Sequence, residues 1–265
     1  MRRLRRLIQK RSLRWSEGVC VLEGPDLIDA ALEAGVEFEA VYVDAVASSD
    51  SVAATVRRAQ ASRIRVFSLG EGVLEKVADA QSPQPILASV RFPVVDVHDI
   101  AGEGLVVILH DVRDPGNAGT IIRSADAGGA TAVVLTGQSV DPFNPKTLRA
   151  SAGSIFHLPV AVASLEEALD HFKRGGAQTY ATVVRGAANY RSIDFSKPTV
   201  VVIGNEASGL DDSSIELCDA SLTIPMAGRS ESLNAAIAAS LIVFEALHQR
   251  NDATPISTPR SLEEL

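Results

Sequence analysis

The sequence predicts an α/β chain of two domains, and three observations carry that prediction. Short apolar, β-branched runs such as residues 105–109 (LVVIL) and 200–203 (VVVI) read as strands buried on both faces of a parallel sheet. Stretches with helical spacing separate such runs, which is the alternation of βαβ units. Residues 93–104, with Pro93 at one end and two glycines at the other, interrupt that alternation once and read as a linker. The chain has 265 residues, 46% of them hydrophobic, enough for one large or two modest cores.

The first domain spans residues 1–92. Strands are expected at 18–22, 40–43, 64–67 and 86–90, the last following SPQP, with helices over 24–34 and 51–59. The second spans residues 105–250, with strands at 105–109, 132–135, 156–160, 179–184, 200–203 and 220–224 and helices around 146–150 and 165–173. A long final helix is expected over 232–249. Its Leu233, Ile237, Leu241, Phe244 and Leu247 recur at helical spacing and read as a core stripe, with a subunit interface as the alternative. The tail, 251–265, reads as disordered.

Charge is distributed unevenly. The net charge is −8, yet seven of the 25 basic residues lie in the first fourteen (MRRLRRLIQKRSLR), which hold no acid; the other 251 residues carry 18 basic against 33 acidic side chains, a net of −15. A short basic arm therefore precedes an acidic body. It reads either as a solvated or frayed end, with Leu4, Leu7 and Ile8 on the apolar side of a helix, or as a phosphate contact; an Arg-rich transit peptide is the weaker third option. No apolar run reaches membrane-spanning length and no signal core is seen. The two cysteines, Cys20 and Cys218, lack CxxC spacing, and the five histidines lack ligand spacing, so no metal site is expected. A cytoplasmic protein is the default.

Three polar segments follow predicted strands, which is where open α/β sheets place their sites. In the first, residues 109–130 (LHDVRDPGNAGTIIRSADAGGA), residues 114–117 form a turn. Asn117 is placed to cap the next helix, and Ile121, Ile122 and Ala125 share one face while Arg123 points elsewhere. A cap and a surface Arg suffice for each residue alone. Their pairing at a helix N-terminus, which favours anions, raises the functional reading. The second, residues 203–210 (IGNEASGL), spaces Gly204 and Gly209 like a phosphate loop but has Leu210 where Lys is needed, and no GxGxxG follows any strand. Its glycines fit close backbone approach to a ligand, and Glu206 is either a solvated acid or a charge that positions a basic partner. The third, residues 224–235 (IPMAGRSESLNA), gathers Met226, Gly228, Ser232 and Asn234 in one loop, where Ser230 or Ser232 can cap the final helix.

Together, DPGNAGTIIRSADAGGA, VVVIGNEASGL and IPMAGRSESLNAAIAASLIVFEAL resemble, in order, the three signature motifs of the SpoU, or TrmH-type, RNA ribose 2′-O-methyltransferases of the SPOUT superfamily. The resemblance covers residues 105–248. More weakly, VLEGPDLIDAALEAG and SPQPILASV resemble the L30e-like RNA-binding domain often attached to them. The resemblance implies a SPOUT-type parallel sheet with a C-terminal trefoil knot, an exception to the rule that chains do not thread loops. It also implies S-adenosylmethionine (S-adenosyl-L-methionine) as cofactor, bound by backbone groups of Gly204, Ile224 and Leu233 with Leu135 and Thr136 nearby and Met226 on the same loop. By motif, Asn117, Arg123, Glu206, Ser232 and Asn234 correspond to the polar catalytic residues, and a homodimer through the knot domain is implied.

The expected substrate is ribosomal RNA, with transfer RNA second; a catalytically silent RNA-binding module of the same fold is the rival from another class. An α/β hydrolase would need a GxSxG elbow that the chain lacks. Methyl transfer to a hydroxyl is an in-line displacement in which positioning dominates. The family proposal makes Arg123 the base that takes the 2′-hydroxyl proton. A guanidinium with a pKa above about 12 is a poor base, so the competing role is a cation that holds the neighbouring phosphate and steadies alkoxide charge.

Overall fold

The computed structural model describes residues 1–46, 49–74, 76–77, 84–92 and 94–253. Pro93 of the expected linker, the serine and proline that open SPQP, and residues 254–265 of the expected tail lie outside the described residues. Residues 251–253 continue the last helix.

The basic arm is folded. Helices α1 (Arg2–Gln9) and α2 (Arg11–Glu17) meet at Lys10, whose extended backbone breaks the run, and α2 stops at Gly18 in the left-handed conformation, φ 65°. Leu4, Leu7 and Ile8 project from one side of α1 at i, i+3 and i+4 and are buried with Val19, Val21 and Leu87. That burial decides against the frayed reading. Strand β1 (Val19–Glu23), helix α3 (Pro25–Glu33), strand β2 (Phe38–Asp44), helix α4 (Asp50–Ala61) and strands β3 (Val66–Leu69) and β4 (Ile86–Arg91) follow. They form a four-stranded sheet in the order β1-β4-β2-β3, antiparallel except for the parallel pair β2–β3. Pro25 opens α3, where a missing N–H costs nothing.

The remainder alternates as expected: β5 (Leu105–His110), α5 (Pro115–Ala127), β6 (Ala132–Thr136), α6 (Pro145–Ser151), β7 (Val160–Val162), α7 (Leu165–Arg174), β8 (Gln178–Thr182), β9 (Ala188–Asn189), β10 (Thr199–Ile203), α8 (Asp212–Glu216), β11 (Ala220–Thr223) and α9 (Ala235–Ala253). The sheet order is β7-β6-β5-β10-β8-β11-β9, and the pairs from β6 to β9 are all parallel. β5, β6 and β10 are buried along essentially their whole length, as their unbroken apolar runs require.

Four local expectations are corrected. Residues 156–160 are not a strand: Ser154–Phe156 is a 3-10 turn, closed by the Phe156 N–H to the Gly153 carbonyl at 2.9 Å, and pairing begins only at Val160. The cap of α5 is Asp114, whose Oδ1 accepts from the Asn117 N–H at 2.8 Å, so Asn117 sits inside the first turn. Residues 232–234 precede the last helix, and its cap is Asn234 rather than Ser230 or Ser232; Asn234 Oδ1 accepts from the N–H of Ala236 at 2.8 Å and of Ile237 at 3.3 Å. Finally, the apolar stripe of α9 is not core. Small residues (Ala235, Ala236, Ala239 and Ala246, with Ile242 and Val243) are buried instead, while Ile237, Leu241 and Phe244 are 53%, 40% and 48% exposed.

The expected linker contains a short 3-10 turn, Val97–Asp99, capped by Asp96 Oδ1. By contacts the chain divides into two compact units that interleave along the sequence. One comprises Met1–Val95, Arg113–Arg123 and Ser139–Ala161; the other comprises Asp96–Val112, Ser124–Gln138 and Val162 onward.

Within the first unit, residues 139–161 lock onto the folded arm through a buried ion pair. Arg14 Nη2 lies 2.6 Å from Asp141 Oδ2, both side chains 3% exposed. Arg14 Nη1 also donates to the carbonyls of Leu7 and Ile8, and Asp141 Oδ1 accepts from Trp15 Nε1 and the Phe143 N–H. Trp15, Phe92 and Phe143 pack ring against ring beside it.

Candidate active-site cleft

Three neighbouring parallel strands, β10, β8 and β11, end on one side of the second unit, and the segments leaving them enclose a cleft of about 490 Å3. Residues 182–185, 203–209 and stretches between 222 and 238 form its walls.

The segment after β10 is built almost wholly from backbone. The N–H of Asn205 donates to the Gly209 carbonyl at 3.1 Å and the N–H of Gly209 returns the bond at 2.9 Å. Asn205 Oδ1 accepts from the N–H groups of Ala207 (2.9 Å) and Ser208 (3.1 Å). Gly204 backs directly onto this turn: a Cβ there would stand 2.5 Å from the Gly209 carbonyl carbon and 2.6 Å from the Leu210 nitrogen, so only glycine fits.

Asn205 also ties the turn to the neighbouring strand end, its Nδ2 donating to the Asp111 carbonyl at 2.8 Å. Asp111 is held in the left-handed region, φ 57°, and its Oδ1 accepts from the Gln138 N–H at 2.6 Å. Next to it, His110 Nδ1 meets Thr136 Oγ1 at 2.9 Å and its Nε2 meets Ser214 Oγ at 3.2 Å. These bonds fix the carboxyl ends of β5, β6 and β10 to one another. Asp211 caps α8 through the Ser214 hydroxyl and N–H and through Ser213, which hold its carboxyl below the ordinary value. The opposite wall is pinned by Thr182 Oγ1 to the Val202 carbonyl and Thr223 Oγ1 to the Val184 carbonyl.

The structure gathers six of the expected residues: Gly204, Glu206, Ile224, Met226, Ser232 and Leu233 all line this cleft. Leu135 and Thr136 do not; both are 1% exposed within β6, where Thr136 is engaged by His110. Asn234 holds the first turn of α9. Asn117 and Arg123 belong to the part of α5 in the first unit, Asn117 in its first turn and Arg123 on its exposed side. Sequence reasoning missed Asn205 and the wall 182–185, which includes Arg185. For Asn205 a signal existed: an Asn closing a buried strand, four residues before a Gly, is turn chemistry. The wall after β8 carries no such mark.

The donor set suits S-adenosylmethionine. Apolar Ile203, Leu222, Ile224 and Leu233 offer a slot for a flat base, and the backbone ends of three strands offer hydrogen bonds. Glu206, Glu231 and Arg185 bring charges of both signs to meet a zwitterion. Among the described residues no cluster of His, Cys, Asp and Glu could hold a metal ion, and no helix is long and apolar enough to cross a membrane.

Comparison with known proteins agrees with this geometry. The SpoU rRNA Methylase family profile matches residues 104–244, and the MRM3-like substrate binding domain matches residues 1–88. The 23S rRNA (guanosine(2553)-2′-O)-methyltransferase RlmP of Bacillus subtilis is 38% identical over 181 residues, covering 68% of this chain and 72% of its own. The 23S rRNA (uridine(2479)-2′-O)-methyltransferase of Streptomyces viridochromogenes is 40% identical over 187 residues, 68% and 65% of the two chains.

Among solved structures, the SpoU methyltransferase AviRb of Streptomyces viridochromogenes in complex with AdoMet superimposes with a TM-score of 0.85 at 30% identity, covering 94% of this chain and 97% of that one. The AdoMet-bound rRNA methyltransferase of Sinorhizobium meliloti gives 0.83 at 34% identity, with 93% of each chain covered. With a family profile that matches residues 104–244, more than half the sequence, the chain belongs to the SpoU rRNA methylase family.

Proposed function

We propose that this protein methylates a ribose 2′-hydroxyl of ribosomal RNA with S-adenosylmethionine as donor. The observation that carries the reading is the cleft at the carboxyl ends of β10, β8 and β11, with its glycine-backed turn. The relatives named as 23S rRNA 2′-O-methyltransferases and the AdoMet-bound neighbours support it.

S-adenosylmethionine, when bound, supplies an electrophilic methyl group on a positively charged sulfur. The chain's own residues hold and orient. Main-chain groups of Gly204, Ile224 and Leu233 grip the cofactor with Met226 beside them, and Glu206 and Ser232 contribute polar contacts in the same cleft. Thr136 acts from beneath, by seating His110, with Leu135 buried beside it in the same strand. Asn234 sets the start of α9 and so the course of the loop before it. Asn117 orients the acceptor side. For Arg123 we favour the electrostatic role, steadying the alkoxide and the adjacent phosphate while the proton leaves to phosphate or water, because a guanidinium is rarely neutral.

Residues 105–250 then form the transfer domain and residues 1–92 the RNA-holding domain, joined by 93–104. A threaded chain is supported by the strand order: β11 lies between β8 and β9, which precede it and are joined only by residues 183–187. A homodimer is supported by the exposed Ile237, Leu241 and Phe244 at i, i+4 and i+7 on α9, an apolar stripe of the kind that covers itself against a second copy. Leu241→Asp should convert a dimer to a monomer in light scattering. A ribosomal substrate supports a cytoplasmic location.

Incubation of the full chain with labelled S-adenosylmethionine and ribosomal RNA, followed by primer extension, should map a 2′-O-methyl mark. A mark on transfer RNA alone would move the substrate, and no detectable cofactor binding by calorimetry together with no mark would leave only the silent RNA-binding module.

A further inference from the structure

The arginines of the N-terminal arm and an aromatic pair in the first sheet share one face. Leu87 of β4, Tyr42 of β2 and Phe67 of β3 are in register across three strands and so point the same way. Leu87 is fully buried among Leu4, Leu7 and Ile8 of α1, Tyr42 is half-buried at the edge of that cluster, and Phe67, on the edge strand, is 46% exposed. The Tyr42 and Phe67 rings stack at 5.6 Å and 19°. An apolar row therefore emerges from beneath a basic helix and ends in an open aromatic face.

Cations surround that face. Arg63 and Arg65 border the same groove as Phe67 and are exposed. Arg2, Arg5, Arg6, Lys10 and Arg11 point outward around α1. The carboxylates at the rim are largely accounted for: Arg3 meets Glu39 at 2.8 Å and Glu17 at 2.6 Å, which holds Glu39 below its ordinary value, and leaves Glu37 as the acid opposing Arg63 and Arg65. In an acidic chain, this concentration of positive charge beside a bare ring matches the chemistry of a single-stranded nucleic acid, whose bases expose π-faces and whose phosphates are close enough to reach neighbouring arginines. A duplex hides its base faces and would have no use for Phe67.

We infer that the β2–β3 end of the first sheet, together with α1, is a docking surface for a single-stranded stretch of the RNA substrate, with a base stacked on Phe67 and phosphates held by Arg63, Arg65 and the outward arginines of α1. The inference rests on the RNA-methyltransferase reading above but concerns a surface separate from the cofactor cleft. The stacking partner is sequence-tolerant, so this surface contributes affinity and leaves the choice of nucleotide to other contacts.

The test uses the full chain and a fluorescently labelled twelve-nucleotide oligouridylate in anisotropy titrations. Phe67→Ala should weaken binding on the order of tenfold while Phe67→Trp restores it. The double variant Arg63→Gln, Arg65→Gln should flatten the dependence of log Kd on log salt by about 1.4, the value for two lost phosphate contacts on a single strand. Cofactor affinity by calorimetry and the thermal melt should match the unaltered chain in every variant. Unaltered oligouridylate binding by Phe67→Ala, or equal competition by an RNA duplex of the same length, would overturn the docking surface. Should the unaltered chain bind oligouridylate as expected yet methylate no RNA, the activity falls and this surface stands.

Discussion

The two ends of the chain are built by different means. The cofactor cleft is built from main chain: Gly204 packs against the Gly209 peptide, Asn205 and Gly209 exchange backbone bonds, and the walls come from strand ends. The N-terminal unit is distinguished by its side chains: Arg14 on Asp141, Arg3 on Glu39 and the Phe67 ring beside Arg63 and Arg65. Backbone recognition depends on how closely two peptides can approach, so it tolerates no added atom. Side-chain recognition depends on charge and ring identity, and tolerates conservative exchange.

Substitutions can break this contrast or sharpen it. The largest effect is expected at Asp141. Asp141→Ala strands a buried guanidinium, at a cost of about 3–5 kcal/mol, and should lower Tm by roughly 10 °C; Asp141→Asn, which keeps one of the two acceptor oxygens and the side-chain volume, should lose less. Next is Arg123→Ala, expected to slow methyl transfer by about 10²–10³-fold with cofactor affinity retained. Full activity in Arg123→Lys would sink any guanidinium-specific role.

Gly204→Ala should cost on the order of 10²-fold in transfer rate, because the turn has to shift by a good fraction of an ångström. Calorimetry should show weakened cofactor binding and the melt should fall by a few degrees, as overpacking by about 1–3 kcal/mol requires, and a variant that binds and melts like the parent would refute the close-packing account. The smallest effect is expected at Glu39→Gln, which removes a half-exposed ion pair worth about 0.2–1 kcal/mol. Glu39 is held below its ordinary value by Arg3, so the pair's contribution is present above about pH 4.3 and fades as pH falls through the lowered value. The variant should therefore differ from the parent at pH 7 and converge with it in melting curves once the pH has fallen through the lowered Glu39 value.

Much of this was legible in the sequence because burial leaves a pattern. The continuous apolar runs of β5, β6 and β10 gave their positions to within a residue or two, and the polar segments after β10 and β11 marked two walls of the cleft. What escaped depended on tertiary contacts. Residues 156–160 (FHLPV) place Phe156, Leu158 and Val160 at strand spacing, but Pro159 cannot donate to a ladder and a local 3-10 bond satisfies Phe156. The α9 stripe has core-like residues that face outward, because the alanines of the opposite side pack on the sheet. Asp114 and Asn117 are both good caps, and only the helix start separates them. Arg185 reaches the cleft on a segment whose identity is set by the chain path, which no local signal encodes.

The turn between Asn205 and Gly209 has a further consequence, for hydrogen exchange. The amides of Asn205, Ala207, Ser208 and Gly209 are all bonded within that single turn. None can open alone without loosening its neighbours, so they should take up deuterium as one cooperative set. They should also be protected in the ligand-free protein to nearly the degree seen with cofactor, since the turn is complete before anything enters the cleft.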